Sequence, residues 1–145
     1  MGPKGTKSKL HYDSDHNLFT QIFGRKLVTL ISPEQSKKCY PVHRTWYDGY
    51  SPIDVLDPDL AKYFLFSDVV MLQAILEPGD ILYIPKGWWH DIRSLDPSIS
   101  VIFWWISWPD FIKEIMNEIS FRCLYSDKLD NRNSYLKIFK DSLFD

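Results

Sequence analysis

The sequence predicts an all-β core followed by a helical carboxyl end, and three observations carry that reading. Short apolar runs recur through residues 1–106, each bounded by Pro, Gly, Asn, Asp or Ser, which is the punctuation of strands. A helical period emerges only after residue 107, where Phe111, Ile112, Ile115, Met116 and Ile119 fall on one stripe. The 145 residues are 45% hydrophobic and 16% aromatic, enough for one domain with a real core and unlike a disordered chain. The expected division is a β domain over 1–106 and a helical extension over 107–145.

Residues 1–6, with two Gly and a Pro, form a loop that leads directly into the stretch 8–26. A functional strand so near residue 1 is expected to belong to a barrel that is incomplete at its start, because terminal strands fray. Phe23-Gly24-Arg25-Lys26 reads as a two-residue hairpin between strands 17–23 and 26–31, since Gly at the first loop position suits a type II′ turn. In that register Phe23 faces Lys26, Gln21 faces Val28, Phe19 faces Leu30 and Asn17 faces Ser32, placing Asn17 and Lys26 on one face.

Ser32-Pro33 ends this unit. The connection 36–66 is too long for a turn and reads as a packed cover built around Trp46, Tyr47 and Tyr50, with Asp57 and Pro58 starting one or two helical turns over 58–64. Strands are expected at 69–76, 81–84 and 99–106, the first two joined by a type II turn at Glu77-Pro78-Gly79-Asp80. Trp88 and Trp89 read as core or rim packing that also forms a dry wall beside His90. Ser107-Trp108-Pro109-Asp110 resembles a helix start, and Tyr135, Leu136, Ile138 and Phe139 indicate a second, shorter helix. These helices cover the barrel or form a homodimer.

Lys plus Arg is 17 against 19 for Asp plus Glu, a net charge of −2, so nucleic acid is not expected as a partner. Cys39 and Cys123 lack metal or redox spacing and read as reduced thiols. The absence of a signal segment and of a long apolar run supports neither export nor a membrane partner; cytoplasm or nucleus is the expected location.

In an extended strand His11 and Asp13 project from the same face, and His90 offers a third ligand. Two imidazoles and one carboxylate, with open positions opposite, suit a non-haem Fe(II) centre. Lys26 on an inward face would need an anion, and a ligand carboxylate would serve; the alternative is a strand-opening Lys that snorkels to solvent. Asp15, His16 and His43 are weaker candidates, and no phosphate loop or nucleophile elbow is present.

From Gly2-Pro3-Lys4-Gly5-Thr6 to Phe103-Trp104-Trp105 the chain resembles the JmjC-type, cupin-like oxygenases that use Fe(II) and 2-oxoglutarate, especially the small protein hydroxylases. The resemblance implies a double-stranded β-helix, a cupin-like jelly roll, lacking the first barrel strand. It implies His11, Asp13 and His90 as metal ligands, Lys26 for the distal carboxylate of 2-oxoglutarate, and Asn17 and Ser8 as polar cofactor contacts. Regular alternation puts Ser8 on the face opposite His11, so its role needs a bend or bulge. Ile102 departs from the family, where Asn or Ser is frequent. The implied reaction is oxygenation of a protein or peptide substrate, with hydroxylation expected over lysine demethylation. Two rivals stand beside it: a non-oxidative cupin binding Zn or Mn, and an inactive module kept for interaction.

Overall fold

Strand-forming runs in the first part of the chain are short and apolar on alternate or on both sides, and this determines how they are used. The computed structural model describes residues 1–42 and 49–125. Among them, seven strands form: β1 (His11–Tyr12), β2 (His16–Phe23), β3 (Lys26–Ile31), β4 (Met71–Leu76), β5 (Ile81–Ile84), β6 (Trp89–Ser94) and β7 (Ile99–Trp105). They make two antiparallel sheets, ordered β1-β6-β3-β4 and β5-β2-β7. Phe19, Val28, Leu76, Ile84 and Ile92 come from both sheets and form one buried cluster, so the inner faces confront each other as in a jelly roll. A second cluster lies on the outer face of the four-stranded sheet, where Ile31 and Trp89 pack with Leu10, Cys39, Ile53, Val55 and Phe66.

The expected hairpin does not exist. β2 lies between β5 and β7, whereas β3 lies between β4 and β6, so the two strands belong to different sheets. In place of the expected partners, Gln21 pairs with Ser100, Phe19 with Leu82 and Ile102, and Asn17 with Ile84 and Trp104. The corner has its own chemistry. Gln21 is fully buried and its amide donates to the carbonyls of Phe23 and Gly24 at 2.8 and 2.7 Å, while Ser100 Oγ donates to Gln21 Oε1. Gly24 sits at φ 68°, and a Cβ there would lie 2.1 Å from the Pro97 carbonyl oxygen. Only glycine allows that approach.

The connection over the outer face holds two 3₁₀ helices, Pro33–Cys39 and Phe64–Asp68. Of the one or two helical turns expected over 58–64 one forms: Asp59 accepts from the backbone N–H of Lys62 and Tyr63. Trp46, Tyr47 and His43 lie outside the described residues. β4 starts at Met71 rather than 69, since the Gln35 side chain occupies both backbone groups of Val70. The turn after β4 is as expected, with Gly79 at φ 100° and Asp80 N–H donating to Glu77. Cys39 is free and buried, and burial pushes its thiol up to about 12.

A separate unit begins at residue 106. It contains α1 (Trp108–Tyr125), at whose start the Asp110 N–H donates to Ser107 Oγ and the Phe111 N–H to the Ser107 carbonyl. The second helix expected near Tyr135 lies outside the described residues. No helix among the described residues is long and apolar enough to cross a membrane.

Candidate metal centre

β1 and β6 pair with His11 directly opposite His90, and this register brings together residues far apart in the chain. Their rings lie 4.2 Å apart, centroid to centroid. Asp13, just beyond β1, places Oδ1 3.9 Å from His11 Nε2 and Oδ2 3.7 Å from His90 Nε2. One ligand atom from each of the three residues lies within 4.8 Å of the others. At their end, 11–13 are tied to the turn before β6, because Gly87 N–H donates to the Asp13 carbonyl at 2.9 Å. Gly87 makes that turn at φ 78°.

Both imidazoles are oriented by the same device. The Nδ1 of His11 meets the Lys9 carbonyl at 2.6 Å and that of His90 meets the Trp88 carbonyl at 3.0 Å. A carbonyl only accepts, so each Nδ1 carries a proton and each Nε2 is the nitrogen turned toward Asp13. Burial lowers the His90 pKa, and neighbouring His11 acts in the same direction, which favours the neutral, metal-binding form. Tyr50 stacks on His11 at 5.3 Å and 13°, held by ladder-like bonds of Tyr12 to Gly49 and Ser51 to Leu10.

The triad opens into a cavity of about 300 Å³ between the sheets, whose lining includes Ser8, Asn17, Phe19, Lys26, Ile102 and Trp104. Asn17 and Lys26 therefore share this space from two sheets rather than from one face of a hairpin. Burial lowers the Lys26 pKa, and its ammonium lies 5.2 Å from the centre of the Phe19 ring. Among the described residues no carboxylate pairs with it. Asn17 is buried, its amide 3.5 Å from Asp13 Oδ2, and its Oδ1 has no hydrogen-bond partner. Ser8 also reaches the cavity because the chain bends at Leu10, but its Oγ already accepts from the Ile92 N–H at 3.0 Å.

These residues fit the expected groups. Two imidazole nitrogens and a carboxylate oxygen form an Fe(II)-type donor set. The unpaired Lys26 calls for an anion, and the orphaned Asn17 oxygen calls for a donor such as a bound water.

Trp88 and Trp89 are not the wall of this cavity. Alternation turns Trp89 away from His90 to the outer face, where its indole donates to Ser36 Oγ at 2.9 Å, and Trp88 packs against the core between the sheets. Among the described residues the tryptophan that touches the centre is Trp104, whose Nε1–H donates to Asp13 Oδ2 at 3.2 Å. Sequence reasoning missed it, although Ile102 and Trp104 occupy alternate positions of β7, as inward residues must. His16 is no ligand: its Nδ1 lies 2.8 Å from the Tyr83 hydroxyl and its ring stacks on Trp105. Behind β6, Arg93 holds both Asp91 and Asp54, and Lys7 also holds Asp54, fastening the 51–54 segment to the ligand-bearing strand.

A family model described as a cupin-like domain matches residues 1–111. Over 105 residues, 72% of this chain, the sequence is 43% identical to Jumonji C domain-containing protein 5 of Drosophila melanogaster and 44% identical to lysine-specific demethylase 8 of Xenopus tropicalis, covering 26% and 24% of their lengths. It is 34% identical over 108 residues to human HSPB1-associated protein 1, covering 22% of that protein. The chain thus spans about a quarter of the length of the curated relatives it matches.

Proposed function

Because the chain belongs to the cupin-like, JmjC-type family, we propose that it is an Fe(II)- and 2-oxoglutarate-dependent oxygenase acting on a protein side chain. The observation that carries this is the His11–His90 pairing, which with Asp13 presents three ligand atoms within 4.8 Å beside a cavity that also holds an unpaired Lys26. His11, Asp13 and His90 would hold the metal, and Lys26 would bind the far carboxylate of the co-substrate. When bound, Fe(II) would supply oxygen activation and 2-oxoglutarate would supply two of the electrons that reduce O2, which is the oxidant.

The chain's own part is orientation and exclusion. The Lys9 and Trp88 carbonyls accept from Nδ1–H of His11 and His90, so each ring turns its Nε2 toward the centre. Lys26 would hold the far carboxylate in this cavity, its ammonium 5.2 Å from the centre of the Phe19 ring. Phe19, Ile92 and Ile102 give that cavity apolar walls, which limit water around a reacting group. Asn17 and Ser8 contribute polar contacts, with Ser8 the weaker because its hydroxyl is engaged by Ile92.

A non-oxidative cupin has no evident need for Lys26 in this place, which favours the oxygenase. The expected preference for hydroxylation over demethylation has no support: relatives are named lysine-specific demethylases. Both outcomes start with oxygen insertion into a C–H bond of a side chain, so this site serves either. An anaerobic titration with Fe(II) and 2-oxoglutarate, followed by the visible charge-transfer band of the chelate, tests the reading; no band at saturating metal rejects it. With oxygen and a cell extract, an added oxygen on peptides marks hydroxylation, and loss of lysine methyl groups marks demethylation.

A further inference from the structure

We propose that Trp104 is a positioning residue for the metal centre: together with the Asn17 amide it clamps Oδ2 of Asp13, so that Oδ1 is the single oxygen offered to the metal. The inference rests on the metal centre proposed above and assigns a task to a residue that does not bind metal.

Asp13 needs such a clamp. It stands one residue past β1, so no ladder bond orients it, and rotation of a carboxylate about its last bond is broad and nearly two-fold. Two N–H donors from the opposite sheet converge on one of its oxygens: Trp104 Nε1 at 3.2 Å and Asn17 Nδ2 at 3.5 Å. Those donors are direct cross-strand partners in the β2–β7 register, hence a unit rather than a coincidence of two rotamers. Among the described residues no N–H donates to Oδ1, which lies 3.9 Å from His11 Nε2, whereas Oδ2, 3.7 Å from His90 Nε2, carries both donors. The indole itself is 58% exposed, so fold burial alone does not account for its placement. Trp105 is a built-in comparison, since alternation sends its ring to the other face, against His16 and Tyr83.

The chemical consequence is a count of donor atoms. A carboxylate binding through one oxygen makes a three-atom protein site, whereas one binding through both takes a further coordination position that small ligands require. Outer partners of metal ligands fix their orientation, and their loss typically costs about 10- to 100-fold in metal affinity.

The test uses Co(II), whose visible d–d absorption reports ligand number without turnover. Trp104→Phe keeps the ring and removes the N–H. It is expected to raise the Co(II) dissociation constant about 10- to 100-fold and to change the d–d spectrum as the freed carboxylate reorients, while Trp105→Phe changes neither. Wild-type affinity and spectrum in Trp104→Phe would overturn the assignment and leave the proposed oxygenase standing. Failure of the wild type to bind Co(II) would remove both. Should Trp104→Phe melt like an unfolded chain, Trp104→Gln retains an N–H without the ring: Co(II) affinity near wild type supports the clamp, and loss as large as that of Asp13→Ala overturns it.

Discussion

Replacing Lys26 by Met should weaken 2-oxoglutarate binding while leaving the ligand-free fold equally stable or more so. Lys26 lies on the central strand β3, opposite Leu76 and Ser94, and burial lowers its pKa with no carboxylate among the described residues to offset the cost. The Phe19 face 5.2 Å away offers about 0.5–1 kcal/mol at most for a partly exposed cation. That is less than an ammonium loses on leaving water unpaired. A ligand carboxylate would add a charge-assisted bond of about 1.5–3 kcal/mol, and each 1.4 kcal/mol is tenfold, so Lys26→Met should raise the 2-oxoglutarate dissociation constant roughly 10- to 100-fold. Met keeps the apolar stem and its packing.

The stability side has a definite sign. A cation whose folded pKa is depressed costs stability fully below that pKa, and the cost vanishes as pH rises past the ordinary lysine value of about 10.4. Any advantage of ligand-free Lys26→Met over wild type should therefore shrink with rising pH. Binding is read by anaerobic titration of the Fe(II)-loaded proteins, and stability by thermal melting without ligand. Equal 2-oxoglutarate affinity in the two proteins would refute the pairing, and a pH-independent loss of stability in the variant would refute the account of an unpaired buried charge.

Asp13→Ala should abolish tight Mn(II) binding measured by electron paramagnetic resonance; unchanged stoichiometry and affinity would remove the centre. Lys7 and Arg93 hold the Asp54 carboxyl well below its ordinary range, so their stabilisation is present above the usual Asp value of about 4 and is lost as pH falls below it. After allowance for its partial exposure, Asp54→Asn should cost about 1–2 kcal/mol in melts at neutral pH and progressively less in acid, a convergence whose absence would contradict the ion-pair account. Gly24→Ala places a side chain at φ 68° and against the Pro97 carbonyl, so denaturant melts should show a loss above the ~1–3 kcal/mol that the backbone conformation alone costs.

Strands were legible where side-chain alternation and turn chemistry agree. Residues 81–84 and 26–31 appear as expected, and Pro78-Gly79 makes the turn its dipeptide demands. Pairing was not legible at Gly24. The Phe-Gly-Arg-Lys stretch satisfies a hairpin turn equally well, and nothing local says that β2 and β3 each take two other partners. What decides the matter is Gln21, whose amide occupies the corner carbonyls from a position three residues back, together with the distant Pro97 that excludes a side chain at Gly24. Of the one or two turns expected over 58–64 the shorter outcome holds, since the turn at Asp59 is followed by Tyr63, which packs on the outer cluster.

The grouping of Asn17 with Lys26 survived the pairing error because face and partner are separate properties of a strand. Alternation has period two, so it assigns Asn17, Phe19 and Gln21 to one side whatever lies beside β2, and Lys26 and Val28 to one side whatever lies beside β3. When two sheets confront each other, every inward side chain reaches the same space, and Asn17 and Lys26 meet across the cavity as they would have met along a hairpin. Ser8 marks the boundary of that logic: it shares the cavity with His11 only because Leu10 bends the chain, a break in parity that the residue pattern does not announce. Trp104 marks the other boundary. Its inward position follows from parity, but its bond to Asp13 depends on where a strand from one sheet passes the end of a strand in the other, and that distance belongs to the packing of the sheets.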